Sequence, residues 1–412
     1  MTEKTYDVIV IGAGASGIMT AIWAAKASLQ VLLLDSRDKI GSKILISGGG
    51  RCNVTHRDVT EKDYASGNPR TLRNILRTFS SAQAVDFFRE AGLEFVTEED
   101  GKYFPKSGSA RTVLDALTGM LEKVPVTVET GRKVVRVTFD GKLFLVEGSG
   151  FGFFSRTLAV CTGGLSYPET GSDGAGYLIA FGFGHRIVPT APVLTPLTTD
   201  DPDWKNLSGI ALPSRLSFWA GGKKVVASEG NFLFTHFGFS GPAVLDISRC
   251  WVCAEAEAKP ELLADFLPEE EGEHLREDFI NAARDYPRRS VERFLSAKLP
   301  ERFVGVLLKK TGASPDMTLA QLRKEDREYI IRYLHHCPLK ITGALGYEKA
   351  EVTAGGVDLN GVDSKTLESK LQPGLYFAGE VLDVDGRIGG FNFQWAWSSA
   401  VAVARAIAKR LG

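Results

Sequence analysis

The sequence predicts an α/β fold in which a discontinuous Rossmann-like domain is assembled from both ends of the chain. Two glycine-rich segments support this prediction, VIVIGAGASG at residues 8–17 and GLYFAGEVLDVDGRIGGFNFQWAWSSA at residues 374–400. The third observation is the length, because 412 residues are too many for one ordinary hydrophobic core. The residues between the two segments are therefore expected to form inserted domains.

The composition is that of a soluble globular protein, with 44% hydrophobic and 24% charged residues and a net charge of -1. The sequence has no stretch of about 18 apolar residues and no export signal before the first predicted strand, so we expect a cytoplasmic protein that does not span a membrane. The five cysteines are odd in number and widely spread, which predicts a reducing compartment and no disulfide framework. Cys250 and Cys253 form a C-x-x-C without a second ligand pair, so no metal site is expected.

The first glycine-rich segment has the pattern of a phosphate-binding turn. Residues 6–11 predict a buried parallel strand, and an alanine-rich helix is expected from Ser16 onward. Between them, Gly12 permits the tight turn, Gly14 lets a pyrophosphate approach the backbone, and Gly17 lets helix and strand pack closely. The free N–H groups at the start of the helix then receive the anion.

The residues that follow identify the class of ligand. Residues 31–34 predict a second strand that ends at Asp35, where a carboxylate can bind ribose hydroxyls, so the ligand is FAD or NAD and not NADP. The next segment, GSKILISGGGRCNVTH at residues 41–56, has no role in a plain nicotinamide domain and favours FAD. Its glycines permit close backbone approach, while Lys43 and Arg51 supply positive charge. Cys52 is a candidate reactive thiol, although a packing role is the commoner one.

The middle of the chain returns to the cofactor before the insertion begins. Residues 126–129, 133–138 and 143–147 predict strands of a β-meander, and residues 148–152 a hairpin. The strand at 157–161 then leads into Thr162-Gly163-Gly164, which is how FAD enzymes bring the chain back to the cofactor. A second complete dinucleotide fold is not predicted, so a nicotinamide donor would have to dock directly on the flavin face.

A shift in composition at about Ile187 marks the start of the insertion. Short strands and turns are expected up to residue 264, including a segment in which His236 either faces the substrate or is an ordinary core histidine. Residues 266–335 have helical periodicity. From residue 279 to residue 340 there are thirteen Lys and Arg against seven Asp and Glu, a net charge of +6. This local charge predicts either an RNA contact or a solvated helical surface.

The second glycine-rich segment predicts a strand at residues 374–378 that delivers Glu380 toward the ribityl or pyrophosphate part of FAD. A final helix is expected over about residues 394–410, after Gly389 and Gly390. Its N-terminal N–H groups would point at the pyrimidine edge of the flavin, where negative charge develops on reduction. Such an arrangement makes a bound flavin easier to reduce.

Four segments together, SGGGRCNVT, FTHFGFSGPAVLDIS, VTAGGVDL and the second glycine-rich segment, closely resemble the bacterial HI0933-like flavoprotein family, also called BaiN-like or YhiN-like. The resemblance implies a glutathione-reductase-like FAD-binding domain with an inserted β-domain and a small helical domain. The expected bounds are 1–190 and 341–412 for the FAD domain, 191–265 and 336–340 for the β-domain, and 266–335 for the basic helical domain.

The turns and the resemblance together give the predicted cofactor-binding residues. Val134 is expected to contact the adenine through its backbone. The sequence departs from the family at His56, where asparagine is common, and at Phe391, where tyrosine is common. The full predicted set is Gly12, Gly14, Ala15, Ser16, Gly17, Asp35, Ser36, Lys43, Gly49, Gly50, Arg51, Cys52, Asn53, Val134, Thr162, Gly163, Gly164, Gly379, Glu380, Asp385, Gly389, Gly390, Phe391 and Asn392.

The function that the resemblance implies is an FAD-dependent oxidoreductase. We expect a reductase, charged by NAD(P)H, that transfers hydride from flavin N5 to an activated C=C bond of a small molecule or of uridine in large-subunit ribosomal RNA. Cys52 and His236 are the candidate proton donors. Two alternatives stay open: an amine oxidase of the aminoacetone type that produces hydrogen peroxide, and a flavin-containing RNA-binding protein without turnover.

Overall fold

The computed structural model describes residues 4–412, so the first three residues of the predicted FAD domain lie outside the described part. The chain divides into two compact units. The first unit runs to Pro192 and resumes at Ala350, and the second unit covers Val193–Lys349. Each unit has a hydrophobic cluster of its own. The bounds of the three domains predicted from the sequence stay a prediction.

The elements follow one another along the chain in three stretches. Up to the second unit they are β1 (Thr5–Ile11), α1 (Ala15–Lys26), β2 (Val31–Leu34), α2 (Ser42–Ile46), β3 (Thr55–His56), β4 (Tyr64–Ser66), α3 (Pro69–Thr78), α4 (Ser81–Glu90), β5 (Phe95–Thr97), β6 (Lys102–Pro105), α5 (Ala110–Glu122), β7 (Val126–Glu129), β8 (Val134–Phe139), β9 (Phe144–Gly148), β10 (Phe151–Val160), α6 (Ala175–Gly182) and β11 (Ile187–Val193). The second unit contains β12 (Leu197–Thr198), α7 (Pro202–Lys205), β13 (Ala211–Ala220), β14 (Lys223–Phe234), β15 (Gly238–Ser240), α8 (Pro242–Val252), β16 (Glu261–Asp265), α9 (Gly272–Asp285), α10 (Val291–Leu295), α11 (Glu301–Thr311), α12 (Lys324–His335), β17 (Cys337–Pro338) and β18 (Gly343–Ala344). The returning chain adds β19 (Val352–Val357), β20 (Leu375–Phe377), β21 (Val384–Gly386) and α13 (Phe391–Leu411).

Five parallel strands in the order β7-β2-β1-β10-β20 form the main sheet of the first unit. Strand β2 and the last four residues of β1 are continuous, buried apolar runs, which is the pattern of strands that are covered on both faces. The register pairs Ile11 with Leu34 and with Val160, and Val160 with Phe377. The segments that follow these four residues therefore leave the sheet at one edge, where ligands of such folds bind.

An antiparallel meander, β8-β9-β10, continues from the main sheet, and the predicted hairpin at residues 148–152 joins β9 to β10. The strand predicted at residues 126–129 is present, but it pairs in parallel with β2 and is not part of the meander. Helix α5 precedes this strand, and a helical crossover returns the chain in the parallel direction.

The second unit contains a seven-stranded sheet in the order β17-β16-β13-β14-β15-β12-β18, and all of its pairings are antiparallel. Helices α9 to α12 occupy the region with predicted helical periodicity. Helix α8 interrupts the region where only strands and turns were expected, and it begins at Pro242 after Gly241, whose φ is 91°. Proline at the first position of a helix is favourable because the missing N–H would have no partner there.

Candidate functional site

The first glycine-rich turn contains two glycines that the protein itself requires and one that it does not. Gly12 has a φ of 100°, and a Cβ there would lie 2.6 Å from the carbonyl oxygen of Cys161. A Cβ at Gly17 would collide with the carbonyl oxygen of Gly12. Gly14 has extended backbone, with φ at -82°, and a Cβ there would meet no atom within 4 Å among the described residues. Neither backbone conformation nor packing explains Gly14, so the space beside it is available to a ligand.

The start of α1 lies beside this space. Gly14 is the N-cap residue and no side chain caps the helix, so the N–H groups of the first turn, which includes Ala15, can bind an anion. Ser16 is buried, and its hydroxyl donates to the carbonyl oxygen of Ala378 at 3.4 Å. A Cβ at Gly379 would lie within 2.5 Å of the Ser16 hydroxyl. The two glycine-rich segments are thus in direct contact, as the sequence predicts for two walls of one site.

Asp35 follows β2 at the same edge of the sheet. Its Oδ2 accepts a hydrogen bond from the Ala13 N–H at 2.6 Å and its Oδ1 accepts one from the Arg37 N–H at 2.8 Å. Burial raises the pKa of Asp35, while these backbone bonds act in the opposite direction. The carboxylate thereby ties the glycine turn to the end of β2. Ser36 lies beside Gly171, where a Cβ would approach its hydroxyl at 3.4 Å.

Val134 begins β8, and the chain just before it contacts Asp35. The connection runs through the backbone, since the Arg132 N–H donates to the Asp35 carbonyl oxygen at 2.8 Å. Val134 is partly buried and packs against the main hydrophobic cluster. The adenine contact assigned to its backbone by resemblance stays a prediction.

Lys43 and Glu380, both predicted to line the cofactor, form an ion pair of 2.6 Å. The other carboxylate oxygen of Glu380 accepts a hydrogen bond from the Thr353 N–H at 2.9 Å. The Thr162–Gly164 segment lies against the same group, because a Cβ at Gly164 would be 2.9 Å from Glu380 Oε1. Gly163 has a φ of 72°, which favours glycine. The ion pair joins helix α2 to the C-terminal segment.

The glycines of the SGGGRCN loop are required by its backbone, because Gly48, Gly49 and Gly50 all have left-handed φ values, between 55° and 85°. Arg51 points to the protein surface, where it pairs with Glu98 at 3.0 Å and lies 4.0 Å from the centre of the Phe104 ring. Arg51 therefore has two contacts within the protein, one with Glu98 and one with Phe104. A cofactor contact from it stays a prediction.

Cys52 is completely buried in the main hydrophobic cluster and has a φ of 58°, which is unusual for a residue other than glycine. Burial raises the pKa of the Cys52 thiol to about 12. The thiol is therefore protonated at neutral pH and has no solvent access. These surroundings favour the packing role of Cys52 over the proposed reactive one.

The start of α13 forms the other end of the candidate site. Gly389 and Gly390 have φ values of 129° and 91°, and no side chain caps the helix. A Cβ at Gly390 would lie 2.8 Å from Asn53 Oδ1, and that buried oxygen has no hydrogen-bond partner among the described residues. A buried amide group without a partner is uncommon in proteins and fits a missing ligand. Asn392 instead binds both backbone groups of Gly386, at 2.8 Å and 2.9 Å, and Asp385 is buried in β21.

The two departures from the family pattern lie against each other. The rings of His56 and Phe391 are stacked with a centroid distance of 4.9 Å and an angle of 24°. The His56 nitrogens lie 2.9 Å from the Asp58 carbonyl oxygen and 2.7 Å from that of Asp100. The Phe391 carbonyl oxygen accepts a hydrogen bond from the Tyr64 hydroxyl at 2.8 Å. Both residues are therefore occupied by contacts within the protein.

His236, the other candidate proton donor, belongs to the second unit. It is exposed on the turn between β14 and β15, and its ring lies edge-on to Phe237 at 4.9 Å. Thr235 and Gly238 close this turn with reciprocal backbone hydrogen bonds. A catalytic role for His236 stays a prediction.

Sequence reasoning missed Tyr167 and Glu351, which belong to the first unit. The Tyr167 hydroxyl lies 3.4 Å from Glu351 Oε1. Tyr167 follows the predicted Thr162–Gly164 segment, and Glu351 directly precedes the VTAGGVD segment. The sequence thus predicts the segments beside both residues but not the residues themselves. A distance of 184 residues along the chain separates the two side chains, and nothing in the sequence pairs them.

The residues of the first unit fit a dinucleotide cofactor. The space at Gly14, two helix N-termini without side-chain caps and the unpartnered Asn53 oxygen would together receive phosphate and ring atoms of such a ligand. Within residues 4–412, no group of three or more metal-ligating side chains is present. In the same range, no helix is both long and apolar enough to cross a membrane.

Comparisons with known proteins identify the family of the chain and support its fold. The family model described as HI0933-like protein Rossmann domain matches residues 6–406. A ribosomal RNA dihydrouridine synthase from Escherichia coli is 38% identical over 98% of each chain, and one from Haemophilus influenzae is 36% identical over 98% of each. A 3-dehydro-bile acid delta(4,6)-reductase from Clostridium scindens is 33% identical over 97% of this chain and 98% of its own. Among solved structures, a quinol-fumarate reductase with menaquinol covers all of this chain and 72% of its own, with 14% identity and a TM-score of 0.51, which supports the fold.

Proposed function

The chain belongs to the HI0933-like family, and from this premise we propose that it reduces an activated C=C bond, with uridine of large-subunit ribosomal RNA as the favoured substrate. The class of the enzyme follows from the family: it is an FAD-dependent oxidoreductase. Three relatives that match almost the whole chain are named for a reduction or for the synthesis of dihydrouridine, which is reduced uridine. These names support reduction of a C=C bond.

The structural observation that carries the FAD part of the proposal is the open space at Gly14 beside the uncapped start of α1. These groups would hold the pyrophosphate of FAD, and Asp35 would bind the ribose. The start of α13, next to Asn53, would face the flavin. When bound there, FAD supplies hydride transfer at N5.

The electron donor in this proposal is NADH or NADPH. The parallel sheet of the first unit is the one Rossmann-like sheet among residues 4–412, since the large sheet of the second unit is antiparallel. We therefore infer that the nicotinamide docks transiently, without a dinucleotide fold of its own. Anaerobic mixing of the oxidised protein with NADH or NADPH tests this step, and a flavin absorbance that neither compound bleaches would contradict it.

The basic region of the second unit supports an RNA contact through a small set of arginines. Seven of the thirteen basic residues between 279 and 340 form ion pairs: Arg284, Lys298, Lys309, Lys310, Arg323, Arg327 and Lys340. Arg288 and Arg293 are exposed and form no ion pair in the described part of the chain. They lie on either side of Arg289, whose guanidinium donates to the Arg293 carbonyl oxygen. We call Arg288, Arg289 and Arg293 the arginine turn, and we propose it as the phosphate contact.

A small unsaturated molecule is the second candidate substrate. The extensive internal pairing of the basic residues favours it, because charges already balanced by carboxylates add little attraction for a polyanion. The relative named as a bile acid reductase also acts on a small molecule. Under this alternative, the arginine turn would be an ordinary solvated surface.

Deletion of the gene, followed by mass spectrometry of nucleosides from large-subunit ribosomal RNA, tests the favoured substrate. We expect dihydrouridine to disappear, to return with the wild-type gene, and to stay absent with a Gly14→Val gene. An unchanged amount of dihydrouridine would rule out the RNA reaction. Purified enzyme, reduced anaerobically and mixed with a conjugated enone, then tests the small-molecule alternative. Stoichiometric hydrogen peroxide from an amine in air would instead indicate an oxidase.

A further inference from the structure

Reduction of a C=C bond consumes a proton as well as a hydride, and the protein has to supply that proton. We propose that Tyr167 donates it and that Glu351 restores the proton on the Tyr167 phenol. This inference rests on the proposed function. It assigns the acid to a pair of side chains in the first unit, in place of Cys52 and His236.

The geometry of the pair is that of a proton relay. The Tyr167 hydroxyl lies 3.4 Å from Glu351 Oε1, close enough for a modest approach to complete a hydrogen bond. Both side chains are partly buried, so they retain access to a ligand. Cys52, by contrast, is completely buried.

The loop that presents Tyr167 is firmly held. Thr353 Oγ1 accepts hydrogen bonds from the Leu165 N–H at 2.8 Å and the Ser166 N–H at 3.1 Å. The Tyr167 carbonyl oxygen accepts from both the N–H and the hydroxyl of Thr170. Tyr167 has φ and ψ of 54° and 65°, a left-handed conformation that residues with a side chain rarely adopt. Such conformations persist where the surroundings enforce them, and they are frequent at active sites.

The pair lies among residues predicted to line the cofactor. Thr353 connects it to Glu380 through the 2.9 Å hydrogen bond, and Glu380 connects it to Lys43 through the ion pair. A Cβ at Gly164 would lie within 3 Å of both Thr353 and Glu380. Three separate stretches of the chain, each next to a predicted cofactor segment, thus meet at Tyr167 and Glu351.

Burial raises the pKa of both groups of the pair, which favours their protonated forms. Burial raises the pKa of Glu351 and the carboxylate of Glu380 raises it further, while Lys43 and the Tyr167 hydroxyl lower it. Burial together with Glu351 and Glu169 raises the pKa of Tyr167 to about 12. A phenol that holds its proton at neutral pH, beside a carboxyl group whose pKa is raised, is suited to donate to a carbanion.

The bound cofactor would supply a hydride, with electrons drawn from reduced nicotinamide, and a new C–H bond would form at one carbon of the double bond. The neighbouring carbon, next to a carbonyl group, gains negative charge. Its new C–H bond forms as the O–H bond of Tyr167 breaks. The phenolate then takes the proton of Glu351, and the Glu351 carboxylate regains a proton from the solvent, which is the one proton consumed in the reaction.

Two conservative variants and one control test the inference. Tyr167→Phe keeps the ring and removes the acidic hydrogen, and Glu351→Gln keeps an acceptor for the Tyr167 hydroxyl. Glu169→Gln, at an exposed position in the same loop, is the control. We expect Tyr167→Phe to lower the rate of substrate reduction by about 100-fold or more, while bleaching of the flavin by nicotinamide stays at the wild-type rate. The carboxylate of Glu169 is the smallest of the causes that raise the pKa of Tyr167, so the control should stay within about twofold of the wild-type rate in both half-reactions.

Infrared spectroscopy gives a readout that does not depend on turnover. At neutral pH we expect the C=O stretch of a protonated carboxyl group that disappears in Glu351→Gln, shifts in Tyr167→Phe and is unchanged in Glu169→Gln. Flavin content and circular dichroism show whether each variant is folded.

The outcomes separate this inference from the proposed function. Substrate reduction by Tyr167→Phe within threefold of the wild-type rate would overturn the assignment of the acid. If the wild type reduces neither uridine nor an enone, the proposed function fails, and the infrared band still decides whether Tyr167 and Glu351 share a proton. A band that is absent, or that Tyr167→Phe leaves in place, would overturn the pairing.

Discussion

The glycine turn of the first unit and the basic helices of the second unit each predict a ligand from sequence. The structure supports the prediction at the turn more strongly than the one at the helices. At the turn, contacts with nearby backbone explain Gly12 and Gly17, and the open space beside Gly14 is left for a ligand. In the helical region, much of the charge that predicted a polyanion is balanced by carboxylates. Three of these, Asp200, Asp201 and Asp203, lie between 106 and 140 residues before their partners in the chain.

The difference shows which sequence signals survive folding. A backbone requirement is local, so a glycine pattern keeps its meaning in the folded protein. Net charge is a sum over a segment, and folding can bring opposite charges to it from anywhere. Lys310, for instance, pairs with Asp201 at 2.6 Å and lies over the ring of Trp204.

The largest expected effect separates two glycines of the same turn. Gly14→Val should weaken the affinity for FAD at least 100-fold. The valine side chain would fill the space beside Gly14 that no protein atom occupies and that the pyrophosphate needs. The stability of the apoprotein should fall by about 1 kcal/mol or less, since the position is only an N-cap. Gly17→Ala should instead destabilise the fold by about 3 kcal/mol, because its Cβ meets the backbone of Gly12.

Flavin absorbance of the purified variants and the urea midpoints of the apoproteins measure these two effects. A yellow, FAD-loaded Gly14→Val protein would refute the phosphate site. Equal loss of stability in the two variants would show that Gly14 is also needed for packing.

A smaller effect is expected from the ion pair that joins the two ends of the chain. Lys43→Met leaves Glu380 with the Thr353 N–H as its hydrogen-bond donor, and both side chains are about three-quarters buried or more. We expect a loss of ~1–2 kcal/mol in the free energy of unfolding, measured by urea denaturation. Lys106→Met, which removes an exposed pair with Glu94, should cause no measurable change. Similar losses in both variants would mean that burial does not strengthen the Lys43 pair.

The arginine turn tests whether the unpaired charges of the second unit bind RNA. Replacement of Arg288 and Arg293 by alanine should weaken binding of a ribosomal RNA fragment about tenfold. The slope of log K against the logarithm of the salt concentration should become shallower by about 1.5 to 2. Lys309→Ala is the matched control, because Lys309 is exposed but already pairs with Asp203 at 2.6 Å. If both changes weaken RNA binding equally, basic residues in ion pairs contribute as much to RNA binding as those without one.

Much of the first unit follows from its sequence, because apolar runs, glycine turns and Asp35 are each local signals. The strands β1, β2 and β10, the turn after β1 and the helix before the C-terminus were all predicted, although α13 begins at Phe391, earlier than expected. The parallel pairing of β7 was not predicted, because a short apolar strand does not encode its neighbour. The Lys43–Glu380 pair joins two predicted residues that the sequence left unconnected.

The contacts that decide chemistry were the least accessible to sequence reasoning. Tyr167 and Glu351 are ordinary residues in their own segments, and only the fold brings their oxygens together. The stacking of His56 on Phe391 likewise turns two separate departures from the family pattern into one contact. Burial of Cys52 could not be deduced either, since a cysteine beside glycines is as consistent with a reactive loop as with a core.

The smallest expected effect is a pH-dependent gain in stability from Glu351→Gln. Because the pKa of Glu351 is raised in the folded protein, the folded state binds its proton more tightly than the unfolded state does. The resulting stabilisation is complete below the ordinary glutamate range and is lost as the pH rises through the raised pKa. Glutamine has no proton to lose, so the variant should gain stability relative to the wild type as the pH increases from 5 to 8.

Thermal unfolding of the two proteins at several pH values measures this effect, with Glu169→Gln as the control for a change of net charge. A difference between Glu351→Gln and the wild type that stays constant from pH 5 to pH 8 would mean that Glu351 titrates alike in the folded and unfolded chain. The carboxyl group would then be ionised at neutral pH and could not return a proton to Tyr167. If the stability difference from the wild type grows with pH for Glu351→Gln and does not change with pH for Glu169→Gln, the folded protein holds a proton on Glu351 more tightly than the unfolded chain does. That result is what the proposed return of a proton to Tyr167 requires.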